Sequence, residues 1–390
     1  MKKGILAGLA FLFLIAIAPC AKAGEPRRTV DDTPCDARAT KAARSVLAYI
    51  ASLSTGNANA AIAGQNCGHG SQIAEAANMM GYAAIMDDIA AKTKRYPGII
   101  GVDYEHDRIF TAEELDRCNA VLIDWWNEGG LVTINWSPQS PWLNDESDLA
   151  KNPGSWSNTR NEGANLKGVN LDDLVDPSKP MHAIWHRKLD RVAAALGELQ
   201  DSGVIVLWRP LQEMNGFWFW WGSAGAAGDG ERYRRVWRDM YEYLTNEKGL
   251  HNILWVYSPC DRGSNPSADV KGAAWGYPGD EYVDIVASTA YNDELAFADY
   301  GEYLAFGKPI AMAEYGAASW KNKAHTGSLD NRLYAQTIRK RYPAIAYWVC
   351  WHNWDNGDGT SSWHSLNRNR FASECLERAD VITRDELPDF

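Results

Sequence analysis

Eight short apolar runs, several rich in β-branched residues, punctuate the chain at residues 61–64, 98–102, 131–134, 204–207, 252–257, 283–287, 309–313 and 345–350. Runs of this length without polar alternation predict strands covered on both faces. Helix-period stripes lie between them. Leu115, Cys118, Leu122 and Trp125 form one, and Ile184, Trp185, Leu189, Val192, Leu196 and Leu199 a second. Tyr233, Val236, Trp237, Met240, Tyr241 and Leu244 form a third, and residues 333–338 a shorter fourth. Strands alternating with helices predict βα units around a parallel sheet. No linker, charge block or internal repeat divides them, so the expected fold is α/β, one (β/α)8 barrel whose long βα loops form an open cleft. A barrel takes ~250 residues. Residues 136–180, rich in Asn, Ser, Gly and Pro, hold much of the surplus and by strand order lie on the catalytic face. An open doubly wound sheet would instead predict a glycine-rich phosphate turn after an early strand. The dense glycine spacing here, at 222–230, follows a Trp cluster.

Charge narrows the partners. A formal net charge of −11 excludes a phosphate-tracking nucleic-acid binder and an anionic membrane surface. The chain holds 18 Trp beside 9 Phe, an excess that a sugar-handling protein would explain. Its first residues form a unit of their own: basic Lys2-Lys3, an uncharged apolar run at 5–18, and Ala21-Lys22-Ala23 as a small-x-small site. That pattern predicts a secretory signal over residues 1–23, a catalytic domain over 24–390, and a secreted product, periplasmic or extracellular. Six cysteines follow the expected cleavage point: Cys35, Cys67, Cys118, Cys260, Cys350 and Cys375. An even number in an oxidising compartment predicts disulfides, while buried free thiols stay open for strand-like Cys260 and Cys350.

Barrel chemistry sits where strands end. The fourth apolar run leads through Trp208-Arg209-Pro210-Leu211-Gln212-Glu213-Met214-Asn215-Gly216 into Phe217-Trp218-Phe219-Trp220-Trp221. The seventh leads through Met312-Ala313 into Glu314-Tyr315-Gly316. Each places one Glu at the end of an apolar strand, and three strand steps let both reach a central cleft from opposite walls. Glycosidic cleavage requires such a pair, one to protonate the leaving oxygen and one to attack C1 or activate water. A solvated loop Glu, or one paired with Arg209, is the plain alternative for either residue alone. The aromatic run shifts the balance, because consecutive indoles at 218, 220 and 221 cannot all enter one core, and an indole facing a cleft stacks on sugar rings.

The stretch from Arg209 to Gly216 with its following tryptophans resembles the acid/base motif of glycoside hydrolase family 26. Tyr96-Pro97-Gly98-Ile99-Ile100-Gly101-Val102-Asp103-Tyr104 is similar to that family's second strand, and Tyr277-Pro278-Gly279-Asp280-Glu281-Tyr282-Val283-Asp284 to the approach to its sixth. The resemblance implies a retaining endo-β-glycanase, first of all a mannan endo-1,4-β-mannosidase. Mixed-linkage β-glucanase, β-1,3-xylanase, an exopolysaccharide hydrolase and a non-catalytic polysaccharide-binding barrel stay open. It further implies Glu213 as acid/base and Glu314 as nucleophile. Trp218 would lie beside the scissile bond, Tyr291 on the nucleophile and Trp351 beneath the sugar, with Arg209 holding the carboxylates. Gln212, Asn215, Trp136 and Ser137 complete the implied substrate-binding set. No cofactor or metal is expected; the partner is a polysaccharide, and the chain is expected to be a monomer.

Three positions depart from the family pattern. Gln212 stands where a His usually precedes the acid/base. Ser137 follows Trp136 where the third strand usually ends in Trp-His, and Thr289 replaces an Asp two residues before the strand-six Tyr. They read either as drift compensated by hydrogen bonds that Gln, Ser and Thr still make, or as a different sugar in that subsite, which predicts weak or atypical activity on plain mannan. Other motifs add no chemistry. His182 and His186 lack the Glu of an HExxH site and read as a helix face. Residues 355–359 place a Gly at a calcium-ligand position and read as a turn. His352 and His364 lie near the eighth strand end, where either could contact substrate, but they read first as loop histidines. No G-x-S-x-G occurs, so an esterase of the α/β-hydrolase kind is excluded.

Overall fold

The computed structural model describes residues 28–56, 60–74, 79–144, 147–149, 151–162, 165–264, 267–317 and 327–390; the expected leader lies outside them. Eight parallel strands form the expected barrel: β1 (Ala61–His69), β2 (Ile99–Tyr104), β3 (Leu131–Trp136), β4 (Val206–Pro210), β5 (Ile253–Tyr257), β6 (Ile285–Tyr291), β7 (Ile310–Gly316) and β8 (Ile345–Cys350). Each pairs with the next in sequence, and β8 pairs with β1 to close the ring. All eight apolar runs overlap these strands. Six strands continue past the run that announced them, so Tyr104, Trp136, Arg209, Tyr291 and Glu314 are strand residues rather than loop residues.

Strand alternation sorts the side chains into two layers. Ile99, Leu131, Leu207, Leu254, Ala287 and Ala311 pack inside the barrel with Val46, Leu47 and Ile50 of the Lys41–Leu53 helix. That helix begins at Thr40, whose hydroxyl accepts the Ala43 amide at 3.1 Å. The alternate residues Ile100, Val132, Ile134, Trp136 and Trp208 face the outer helices. The Ala112–Asn127 helix starts with a reciprocal cap, Thr111 and Glu114 each accepting the other's backbone N–H, which satisfies two of its unpaired first-turn donors. The Pro180–Asp201 and Gly230–Tyr241 helices bury the predicted stripes, although Ile184 is only half-buried.

The Trp excess belongs mostly to this packing. Nine tryptophans, among them Trp125, Trp136, Trp185, Trp208, Trp237 and Trp255, are fully buried. Trp136 stacks on Trp185 and Trp208 with centroids 5.4 and 6.0 Å apart.

The predicted disulfides are not present: Cys35, Cys67, Cys118, Cys260, Cys350 and Cys375 are all free thiols. All but Cys35 are buried, and buried thiols among apolar neighbours serve as small hydrophobes. The turn at 355–359 is found as expected, joining two short antiparallel strands, with Gly357 at φ 74°.

Candidate active site

Glu213 and Glu314 are presented by two local breaks in strand regularity. After β4 the backbone is left-handed at Leu211 (φ 50°) and again at Glu213 (φ 56°). Non-glycine residues held there cost about 1–3 kcal/mol each. Neighbouring strands supply the compensation: the Leu211 amide donates to the Trp136 carbonyl at 3.0 Å, and the Glu213 amide to the Ser258 carbonyl at 2.8 Å. On β7 the register with β6 steps from Ser288↔Met312 to Thr289↔Glu314, leaving Ala313 as an extra residue. Met312 faces the helix layer and Ala313 the barrel interior. Strict alternation would send Glu314 outward after Ala313; the bulge re-aims it into the barrel mouth.

The two carboxyls meet different surroundings. The Glu314 carboxylate accepts both terminal nitrogens of Arg209, one at 3.0 Å, and the Tyr291 hydroxyl at 2.5 Å. Burial pushes its pKa up, while Arg209 and Tyr291 work against that rise. Glu213 accepts one bond, from Trp218 Nε1 at 2.6 Å. Burial, and then the charge of Glu314, raise its pKa to about 8. Glu314 therefore ionises first, and its charge keeps the proton on Glu213. Asp103, wholly buried on β2, is pushed well above the carboxylate range by burial and by Glu314.

Glu213, Glu314 and Tyr291 line a cleft of about 920 Å3 together with Trp156, Phe217, Trp218, Trp351 and Trp354. Trp220 and Trp221 are wholly buried, their indole N–H groups donating to the Pro138 and Gln212 carbonyls at 2.8 Å each. Trp218 is thus the cleft-facing indole of that run. Trp351 lies under Arg209, whose guanidinium carbon is 5.7 Å from the ring centroid.

Two residues expected at the substrate lie behind it. Trp136 has the outward parity of β3, and its indole donates to buried Glu105 at 3.1 Å. Glu105 also binds Lys188 at 3.2 Å and Arg191 at 2.5 Å, joining the ends of β2 and β3 to the Pro180–Asp201 helix. Asn215 is wholly buried; its side chain bonds the Cys260 amide and carbonyl and the Lys271 carbonyl at 2.8–2.9 Å. It braces the loop that carries Glu213.

The cleft holds imidazoles that sequence reasoning missed. Gln212 lines it and donates through Nε2 to Ser137 Oγ at 2.7 Å; that oxygen lies 3.1 Å from His106 Nδ1. His106 stacks on Trp156 at 4.4 Å and on His69 at 5.0 Å. His352, read from sequence as a plain loop residue, also lines the cleft, with Nδ1 2.8 Å from Asn66 Oδ1. Burial lowers the pKa of His69, His106 and His352, so these rings are neutral at pH 7. Two departures from the family pattern, Gln212 and Ser137, are bonded to each other. Thr289 is buried on β6 with its hydroxyl oxygen unpartnered.

A closed (β/α)8 barrel whose strand ends aim one protonated and one ionised carboxyl into an aromatic cleft defines the glycosidase class. Within that class the chain belongs to glycosyl hydrolase family 26, whose sequence profile matches residues 35–386. It is 36% identical over 289 residues to a mannan endo-1,4-β-mannosidase A and B of Caldalkalibacillus mannanilyticus, covering 70% of this chain and 51% of that protein. The chain thus spans about half that relative's length. It is 30% identical over 354 residues to a mannan endo-1,4-β-mannosidase of Bacillus subtilis strain 168, covering 88% of each. The solved Bacillus subtilis mannanase structure superposes with a TM-score of 0.71 at 26% identity, covering 92% of this chain and 96% of that one.

Proposed function

We propose that this chain is an endo-β-1,4-mannanase that cleaves its polysaccharide with retention. The carrying observation is the asymmetry of the carboxyl pair: Glu213 near pKa 8 beside a Glu314 clamped by Arg209 and Tyr291. Glu213 donates its proton to the departing glycosidic oxygen while Glu314 attacks C1. Glu213, now a carboxylate, then takes a proton from the water that releases the sugar. Trp351 supplies an apolar face for the ring at the cleavage point, and Trp156, Phe217 and Trp218 extend that surface along the cleft. The relatives' mannanase names support mannan as the substrate.

The Gln212–Ser137–His106 chain supports the same substrate despite the missing family histidines. Gln212 gives its amide proton to Ser137, and we infer that the Ser137 hydroxyl in turn donates to His106 Nδ1. The ring proton then sits on Nε2, and an imidazole donor from the end of β2 serves the sugar hydroxyls in place of one from β3. Residues 1–23 belong to this reading as an export signal, cleaved after Ala23.

Product analysis on unsubstituted mannan, glucomannan, mixed-linkage glucan and β-1,3-xylan tests the proposal, with Glu314→Ala as the blank. Mannan viscosity is expected to fall ahead of reducing-end release, yielding manno-oligosaccharides. Cleavage of mixed-linkage glucan or β-1,3-xylan without cleavage of mannan would overturn it.

A further inference from the structure

A second set of ligating side chains lies on the outer helices, away from the cleft. His182 and His186 occupy successive turns of the Pro180–Asp201 helix, their rings stacked 4.0 Å apart at 24°. The sequence offers this pair no third ligand of its own. The fold supplies one, Asp239, from the neighbouring Gly230–Tyr241 helix. Among the described residues this is the one group of three or more His, Cys, Asp or Glu whose ligand atoms all lie within 4.8 Å of one another.

The spacing favours a bound cation over a direct ion pair. His186 Nε2 is buried without a hydrogen-bond partner and lies 3.6 Å from Asp239 Oδ2. That is too long for a hydrogen bond. It is within a few tenths of an ångström of the ~3.3–3.4 Å between neighbouring tetrahedral ligands bound ~2.0–2.1 Å from zinc. Asp239 Oδ2 is already oriented by Trp185 Nε1 at 3.1 Å, an outer donor of the kind that fixes metal-binding carboxylates. Tyr243 packs edge-on against His186 at 4.3 Å. Asp176 and Glu247 add negative charge around His182. The three ligands are half-buried, so an ion can enter from solvent and keep a water at the fourth position.

We propose that His182, His186 and Asp239 bind one divalent cation of the zinc class, tying together two adjacent helices of the outer ring. Two imidazoles and a carboxylate select zinc, nickel or copper(II) over calcium or magnesium. The site acts on stability, since it is separate from the cleft that holds Glu213 and Glu314.

The test uses the full-length enzyme, stripped with a chelator and titrated calorimetrically with zinc chloride. One zinc per chain and a higher melting temperature are expected, with no shift from calcium or magnesium. His182→Ala and Asp239→Asn are expected to weaken zinc binding at least about ten-fold and to remove the melting shift. His182 carries its ring on the open side of the helix, so its variant is expected to fold and to keep wild-type turnover. Should Asp239→Asn fold poorly, His182→Gln gives the same reading. No zinc uptake at 100-fold molar excess, or equal uptake by wild type and both variants, would overturn the proposal.

Discussion

Glu213 and Glu314 share one side-chain chemistry and differ only in what touches it. On the proposed roles, removing Glu314 leaves no group to attack C1, so Glu314→Ala is expected to abolish turnover of every substrate. Glu213→Ala is expected to lose at least about 100-fold on mannan, the usual scale of a lost general acid. It should still form the glycosyl enzyme from aryl glycosides with good leaving groups, and azide should rescue the second step. Equal loss on mannan and activated substrates, with no azide rescue, would contradict these roles. The pH dependence follows from the same surroundings. Glu213 must hold its proton, so kcat/KM should fall as pH rises through about 8. The Trp218 bond stabilises the charged form of Glu213 and lowers its pKa. Trp218→Phe should therefore move that alkaline limb to higher pH, and an unmoved limb would separate Trp218 from the acid. Stability falls in the same direction. The folded pKa lies above the ordinary carboxyl value of about 4.5, so the contribution is complete below about 4.5 and lost as pH rises through about 8. Glu213→Gln cannot ionise and should gain stability over wild type across that window, measured by denaturant unfolding at pH 5 and pH 8.5. His106→Ala should raise KM for mannan, and Ser137→Ala should raise it less, since it frees the ring without removing it.

At the scale of elements, every barrel strand was legible because burial on both faces leaves an uninterrupted apolar run. The ends of the strands were not. Arg209, Tyr291 and Glu314 remain in the sheet, yet their polarity ends the run that marks a strand. Parity also escaped notice. Trp136 and Ser137 are adjacent in sequence, and the indole packs toward the helices while the hydroxyl meets Gln212 and His106. The β7 bulge has no signature in Ala311-Met312-Ala313-Glu314, although it decides where Glu314 points. Lys188 escaped for a related reason. It lies wholly buried on the apolar side of its helix because Glu105, 83 positions earlier, receives it. Removing one partner of a buried pair costs about 3–5 kcal/mol. Lys188→Ala should lower stability on that scale and loosen the β2 and β3 ends, seen as a fall in kcat beyond any change in KM. A stability change below about 1 kcal/mol would show the triad to be unimportant to the fold.

For the whole molecule, composition was a poorer guide than arrangement. The Trp surplus pointed to sugar, yet nine tryptophans among the described residues are buried in the packing; of the described tryptophans, Trp156, Trp218, Trp351 and Trp354 line the cleft. The cysteine count pointed to disulfides, and the six described cysteines are free thiols. Reductant should therefore leave the melting temperature unchanged, and denatured protein should titrate with all six thiols; a drop in melting temperature on reduction would contradict this. The central claim, that Glu314 attacks C1 while Glu213 serves as acid and base, is most directly tested by rapid-quench mass spectrometry. Glu213→Ala mixed with a 2,4-dinitrophenyl β-mannobioside should accumulate one glycosyl adduct, on the peptide that contains Glu314. Release of dinitrophenol with no adduct, or an adduct on any other residue, would contradict it.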